Sequence, residues 1–311
     1  MKEDFLRTNV NATLALLVIV VFVWGITWPI MKIGIDYIPP VFFGALRMFV
    51  GAAFMFCIVQ AYGKLAFPDR SDWKMVFSVG LLQMAIPTAL MHFSLSFVDA
   101  GRASLLAVTH PIWVAPLAVL VLGEQLNKGI LSGLLVGMIG LGVLFNPSGF
   151  DWRDEAVLLG NGLLILSAMS WAIGIVHVRA HHWNGSPLSL SPWQMLVSGV
   201  VLMTLSSVRE DVSTTVWDAN LIYVLAFVGI AATAFAYWGA VTVARQLPAM
   251  VSSLGFLGVP IVGIGSSALI LMEPLTLTLK VGTALILFGL ILMTFFGDSS
   301  DAKSSRQLDH S

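Results

Sequence analysis

The chain has 311 residues, of which 58% are apolar and only 11% charged, against roughly 25% charged in an ordinary soluble domain. Mean hydropathy is +0.90 and net charge is −1, which excludes a soluble globular chain and offers nothing to attract nucleic acid. The single cysteine, Cys57, stands inside an apolar run, so there is no disulfide framework.

Residues 1–11 are short and polar, with Lys2 and Arg7. The apolar run that follows lacks a small-x-small cleavage site and continues through Trp24, Trp28 and Pro29 to about Ile35, too long for the core of a signal peptide. It is the first of ten predicted spans, at residues 12–35, 40–61, 74–98, 101–122, 126–146, 157–179, 189–208, 219–244, 249–271 and 276–297. A window of ~20 apolar residues is long enough to cross a bilayer core. The connections leave no room for a soluble domain, and residues 298–311 read as a polar cytoplasmic tail, expected to be disordered.

Basic residues set the orientation. With both termini inside, 10 lysines and arginines fall on the inner side and 6 on the outer, Arg47 counted among the outer ones. Both termini are therefore expected in the cytoplasm, in a bacterial-type cytoplasmic (inner) membrane.

The fourth span is organised around His110–Pro111 and closes on Glu124, and its pattern returns 149 positions later. Ala100 falls on Ala249, Ser104 on Ser253, Pro111 on Pro260, Glu124 on Glu273 and Leu126 on Leu275, and Gly133 and Gly140 of the next span meet Gly282 and Gly289. The chain reads as two copies of one unit, residues 1–148 and 149–297, followed by the tail. Each copy holds five spans, an odd number, so the copies lie upside down relative to each other. The fold class is all-α integral membrane: ten transmembrane helices as two inverted five-helix repeats around a central cavity, an arrangement used by secondary transporters.

A tryptophan-rich first span, a proline in the middle of the fourth, and the ending Gly123–Glu124–Gln125–Leu126, repeated in the second half, resemble the EamA-type branch of the drug/metabolite transporter superfamily. Within it the chain is most similar to the ten-helix exporters of aromatic amino acids (the YddG type). The resemblance implies a basket of ten helices with spans 1, 3, 4, 6, 8 and 9 lining the cavity and spans 5 and 10 supporting it. The second half departs from the pattern: Met272–Glu273–Pro274 replaces Gly-Glu, and Val259 stands opposite His110.

A polar or ionisable side chain inside hydrocarbon is expected to face protein or a wet cavity. His110 lies about 14 Å into its span at 1.5 Å per residue. Pro111 removes a backbone donor and crowds the carbonyl of Ala107, which leaves acceptor capacity beside an imidazole. Two readings stand for His110: a ligand for a polar head group, or a neutral ring bonded to a carbonyl at a kink. Trp24 and Trp171, mirrored at an offset of 147, lie too deep for an interfacial belt. They offer flat apolar contact and a face for an ammonium group, or simple interhelical packing. Trp28 lies one turn from Trp24. Trp73, Trp152, Trp183 and Trp217 fit a belt.

Gln83, Ile86 and Pro87 recur at helical spacing in span 3, opposite Ala232, Phe235 and Ala236, and Gln83 either bonds another helix or faces the cavity. Phe256 lies one turn before Pro260, among small residues. His92 is expected to be structural. The candidate substrate-binding set is thus Trp24, Trp28, Gln83, Ile86, His110, Trp171, Phe235 and Phe256, with Pro111 and Pro260 as hinges. Glu124 and Glu273 are expected to cap the N–H groups of the helix that follows each. Gly133, Gly137, Gly140 and Gly142 form a close-packing seam, within the fold or between subunits.

There is no metal spacing, phosphate loop or nucleotide signature, so the chain reads as neither an enzyme nor an ATP-driven pump, with no cofactor. A photoreceptor would need a mid-span lysine near the end, and Lys280 stands at a helix start. A pore would not need inverted halves. The expected function is export of aromatic or large neutral amino acids by alternating access, facilitative because no carboxylate lies at midplane. The rival keeps the class and changes the cargo to a nucleoside, a sugar derivative or a drug, with proton coupling through His110. The expected partners are a small-molecule substrate and the lipid bilayer, and a monomer is favoured.

Overall fold

The computed structural model describes residues 10–124, 126–145, 154–181, 184–247 and 249–308. Lys2, Arg7, Trp152, Arg153 and Trp183 lie outside them. Among the described residues there are helices and connecting turns but no strand. Ten apolar segments follow one another: α1 Val10–Gly34, α2 Pro40–Ala61, α3 Trp73–Ser94, α4 Ala100–Leu122, α5 Lys128–Phe145, α6 Glu155–Ala180, α7 Pro187–Arg209, α8 Ala219–Gln246, a two-part α9, and α10 Leu277–Leu308. Nine are long and apolar enough to cross a bilayer, and α5 is a somewhat shorter apolar helix. Large apolar side chains face outward, Leu120 at 81% and Leu269 at 78% exposure, as lipid-facing positions do. One boundary departs from expectation. α10 runs on to Leu308 instead of stopping at residue 297, because no proline follows Gly297 to break it.

Two spans are broken at mirror positions. α4 divides into α4a, Ala100–Ala107, and α4b, His110–Leu122, and α9 into α9a, Ala249–Phe256, and α9b, Gly258–Ile270. Pro111 and Pro260 fall in the first turns of the second pieces, where a missing N–H costs least. The Thr109 hydroxyl donates to Leu106 O at 2.6 Å, taking up a carbonyl at the first break.

Two other spans change pitch at mirror positions. Gly80–Ala85 of α3 and Phe227–Phe235 of α8 are π-helical, so side chains beyond each segment turn away from α-helical register. In α3 the cause is Pro87, which has no N–H to give. The Ser170 hydroxyl of α6 donates to the stranded Leu82 O at 2.8 Å. In α8 the Thr233 hydroxyl donates to Val228 O, five residues back, at 2.8 Å.

Helix starts in one half are capped by carboxylates of the other. Glu210, after α7, accepts from the Val41 and Phe42 N–H groups at 2.8 Å each, at the start of α2. Asp72, before α3, accepts from Asn184 and Gly185 N–H at 2.9 Å, just ahead of α7. Glu273 accepts from Ala100 N–H at 2.7 Å and Gly101 N–H at 2.9 Å. The capping logic expected for Glu273 therefore holds, but for α4a across the repeat boundary and not for the helix that follows. Its mirror, Glu124, pairs with Arg179.

α5 and α10 pack together away from the centre through Gly133, Gly137 and Gly140, so that seam lies within the fold, while Gly142 stands off it. A Cβ at Gly289 would stand 2.6 Å from both Gly133 O and Gly137 N. Gly289→Leu is expected to force these backbones apart and destabilise the protein by about 1–3 kcal/mol, read as a lower melting midpoint of the detergent-solubilised protein. Gly142→Leu, with no heavy atom within 4 Å of its added Cβ, is expected to leave that midpoint unchanged.

Candidate functional site

Between the halves lies a cavity of about 220 Å3. Its walls come from α1, α2, α3, α4, α6, α7, α8 and α9. Spans 2 and 7 thus join the six helices expected to line it. Much of the lining falls into pairs that the internal repeat relates: Trp24 with Trp171, Met48 with Met195, Gln83 with Ala232, Met84 with Thr233, Thr88 with Tyr237, and His110 with Val259. The cavity therefore sits where the two halves face each other.

Of the candidate residues, Trp24, Trp28, Gln83, His110 and Trp171 are brought together on its wall. Trp24 donates its indole N–H to Ala232 O at 3.0 Å, which fixes the ring across the interface between halves. The His110 ring lies 6.1 Å from that of Trp171, tilted by 37°, and its Nδ1 is 3.4 Å from Ala107 O. With Nδ1 protonated toward that carbonyl, Nε2 is left as an acceptor. Gln83 makes no hydrogen bond among the described residues. It lies on Gly174 of α6, where a Cβ would stand 2.5 Å from Gln83 Cγ, so its amide is available to the cavity.

Ile86, Phe235 and Phe256 do not line the cavity. Ile86 is 40% exposed on the outer surface because the π-helical turn before it rotates it off the face that carries Gln83. Phe235 closes the equivalent segment of α8, its ring 5.6 Å from that of Trp238 and tilted by 40°. Phe256 supports the site from behind, 5.6 Å from Trp24. His92 is fully buried, with Nδ1 2.7 Å from Thr88 O and its ring edge-on to Phe43.

Arg47 was counted with the outer loops, yet it stands on the cavity wall of α2. The signal was in the sequence: it lies seven residues beyond Pro40, about 10 Å into the span, where an ionisable group marks a functional position. Its Nε donates to Thr233 Oγ1 at 2.8 Å and its Nη1 to Met31 Sδ at 3.0 Å. No aspartate or glutamate lines the cavity among the described residues. Tyr237 and the five methionines on the wall were not anticipated either, since Met and Tyr in apolar runs look like ordinary core.

The cavity is closed at one end. α4a packs on α9b beneath the Glu273 cap, close enough that a Cβ at Gly263 would stand 2.6 Å from Ser104 Oγ. The mirror-related segments at the other end, α4b and α9a, are not packed on each other to a comparable extent. A site between halves, sealed at one end only, suits a small solute and leaves it a way out.

Comparison with known proteins agrees with this architecture. The model of the EamA-like transporter family matches residues 11–146 and again residues 158–295. An uncharacterized transporter of Bacillus subtilis, YoaV, is 29% identical over 276 residues, covering 89% of this chain and 94% of its own. A protein of Escherichia coli described as a probable amino-acid metabolite efflux pump is 28% identical over 296 residues, covering 92% and 95%. A crystal structure at 17% identity superposes with a TM-score of 0.63 over 92% of this chain and 97% of that one, a likeness of fold.

The wall can be checked by chemistry. In a Cys57→Ser background, Met91→Cys and Val108→Cys, both on the wall and partly exposed, are expected to react several-fold faster with a hydrophilic thiol reagent than Ile86→Cys and Phe235→Cys. Equal rates at all four would mean the wall is wrongly drawn.

Proposed function

The chain belongs to the EamA-like transporter family, and we propose that it exports aromatic or large neutral amino acids by facilitated alternating access. The observation that carries this reading is the tryptophan pair, Trp24 from one half and Trp171 from the other, on the wall of one small cavity with His110 beside Trp171. Two flat apolar faces suit an aromatic or large aliphatic side chain, and His110 and Gln83 suit a polar end. A volume of about 220 Å3 falls below the roughly 300–1,000 Å3 of pockets for drug-sized ligands. Relatives described as amino-acid metabolite efflux pumps support the cargo and the outward direction. The absence of a carboxylate from the wall among the described residues supports facilitation over proton coupling.

Residues 1–148 and 149–297 are the moving halves, with Pro111 and Pro260 at the flexible breaks. Removing Arg47 from the outer loops shifts the basic bias from 10 against 6 to 10 against 5, which favours both termini in the cytoplasm. The sealed end, with Glu273, then faces outward, and the structure corresponds to an inward-open state. Inverted repeats supply the other state by exchange: Glu273 releases Ala100 and Gly101, and Glu124 leaves Arg179 to cap Ala249 and Met250 at the start of α9a. Each capped state satisfies helix-end N–H groups that the membrane offers no water to satisfy.

The test is counterflow in proteoliposomes holding unlabelled tryptophan, phenylalanine, methionine or threonine. Labelled amino acid is expected to enter by exchange at a rate indifferent to an imposed pH gradient. Trp171→Ala is expected to slow it by about two- to tenfold, and His110→Ala to lower it without loss of folded protein. Failure to exchange any amino acid would overturn the cargo, and gradient-driven accumulation would overturn facilitation.

A further inference from the structure

Arg47 is not used as a structural cation. Lys32 donates to the Leu95 and Val98 carbonyls at the end of α3, and Arg179 pairs with Glu124. Arg47 instead meets one hydroxyl and one thioether, the latter a weak acceptor. No carboxylate pairs with it among the described residues. A guanidinium has five donors and stays cationic at neutral pH, so two neutral acceptors leave both its charge and most of its donors unanswered. In an apolar wall that is a standing cost unless an anion completes the site.

The surrounding structure aims the group. A Cβ at Gly51 would lie 2.5 Å from Thr233 Cγ2, and one at Gly229 would lie 2.5 Å from Val50 Cγ1, so these two glycines let α2 and α8 approach closely. The π-helical turn of α8 gives Thr233 a carbonyl five residues back for its proton. Its lone pair is thereby turned to Arg47 Nε, and among the described residues the Nη groups of this wall residue meet only the weak acceptor Met31 Sδ. The repeat places Gln194 at the position opposite Arg47, and that glutamine is fully buried and not on the wall. The cation is a property of one half only.

We infer that Arg47, held by Thr233, is the carboxylate anchor of the cavity, and that the preferred cargo is a net monoanion: an aromatic or large apolar carboxylate whose amino group is absent or acylated. This rests on the transporter reading above and goes beyond it: free amino acids remain cargo, but second in preference to their deaminated or N-acylated relatives. A site with one cation and no acidic side chain is neutralised by a monoanion. A zwitterionic amino acid fills it with the positive charge left over, its ammonium meeting ring faces and the neutral acceptors His110 Nε2 and the Gln83 amide but no carboxylate. An amino-acid amide adds a second cation. The order of preference is therefore N-acetylphenylalanine or 3-phenylpropionate, then phenylalanine, then phenylalaninamide.

Two readouts separate this inference from the transport reading. Ligand-induced rise of the melting midpoint, measured on purified full-length protein, reports binding, and counterflow in proteoliposomes reports transport. The two monoanions are expected to stabilise the protein at lower concentration than phenylalanine, and phenylalaninamide not at all. Arg47→Gln is expected to weaken the monoanions on the order of 10- to 100-fold, with a ligand-free midpoint no lower than that of the parent. Arg47→Lys keeps the charge without the two-pronged fork and is expected to restore part of the affinity. Thr233→Val, which keeps Arg47 but frees its Nε, is expected to weaken monoanions less than Arg47→Gln does. Binding in this order without exchange would sustain the anchor and overturn the transport reading. No stabilisation by either monoanion, or equal stabilisation by acid and amide, would overturn the anchor even where amino acids exchange.

Discussion

A backbone N–H or C=O inside hydrocarbon has no water to turn to, and the architecture follows from how this chain meets that demand. Unbroken helices meet it internally. This chain breaks α4 and α9, distorts α3 and α8, and starts several helices near the apolar slab. The α4 break, both π-helical turns and several helix starts are answered by side chains, and the answering group often belongs to the opposite half. Glu210 serves α2, Glu273 serves α4a, Asp72 serves the approach to α7, and Ser170 serves Leu82. A hydrogen bond to a charged group contributes about 1.5–3 kcal/mol, so such caps hold the halves in register without a large buried seam at the centre. The centre stays hollow.

The same irregularities build the cavity. π-helical turns in α3 and α8 decide which residues reach it, admitting Gln83 and Thr233 and turning Ile86 outward. Glycines at the α2–α8 contact bring Thr233 to Arg47. The repeat guarantees a paired geometry, while its sequence departures make the pair chemically unequal: His110 faces Val259, Thr88 faces Tyr237, and Arg47 has a buried glutamine as its counterpart. A symmetric frame with asymmetric polar groups can alternate between two similar shapes while holding its solute in one orientation.

Much of this was legible in the sequence. Ten apolar runs gave the spans, and the pairing of Pro111 with Pro260 and Glu124 with Glu273 gave the inverted halves. Trp24, Trp171 and His110 stood out because bulky or titratable groups deep in a span need a reason to be there. Facing direction was less legible, because helical spacing assumes 3.6 residues per turn and a π-helical turn breaks that count. Pro87 carried the warning for α3, but α8 has Ala236 there and gives none. Arg47 was misassigned because span ends are conventionally charged, and a cation seven residues inside was counted with the loop. Which helix start Glu273 would cap is a tertiary matter: the local rule names the chemistry and not the partner.

The left-handed backbone at the two mirror positions ties these threads together. Gly123 has φ of 68° and Met272 has φ of 55°, so both spans end with the same turn, and both turns deliver a glutamate. One glutamate closes its end in this structure, and the other is paired elsewhere. In the exchange proposed above, the two ends alternate. It is tested most directly by spin-label distances in lipid, in two double-cysteine variants of a Cys57→Ser background, Ser96→Cys with Leu275→Cys at one end and Val121→Cys with Val251→Cys at the other. Glu273→Gln is expected to lengthen the first distance and shorten the second together. Distances that stay fixed, or that lengthen at both ends at once, would contradict the exchange.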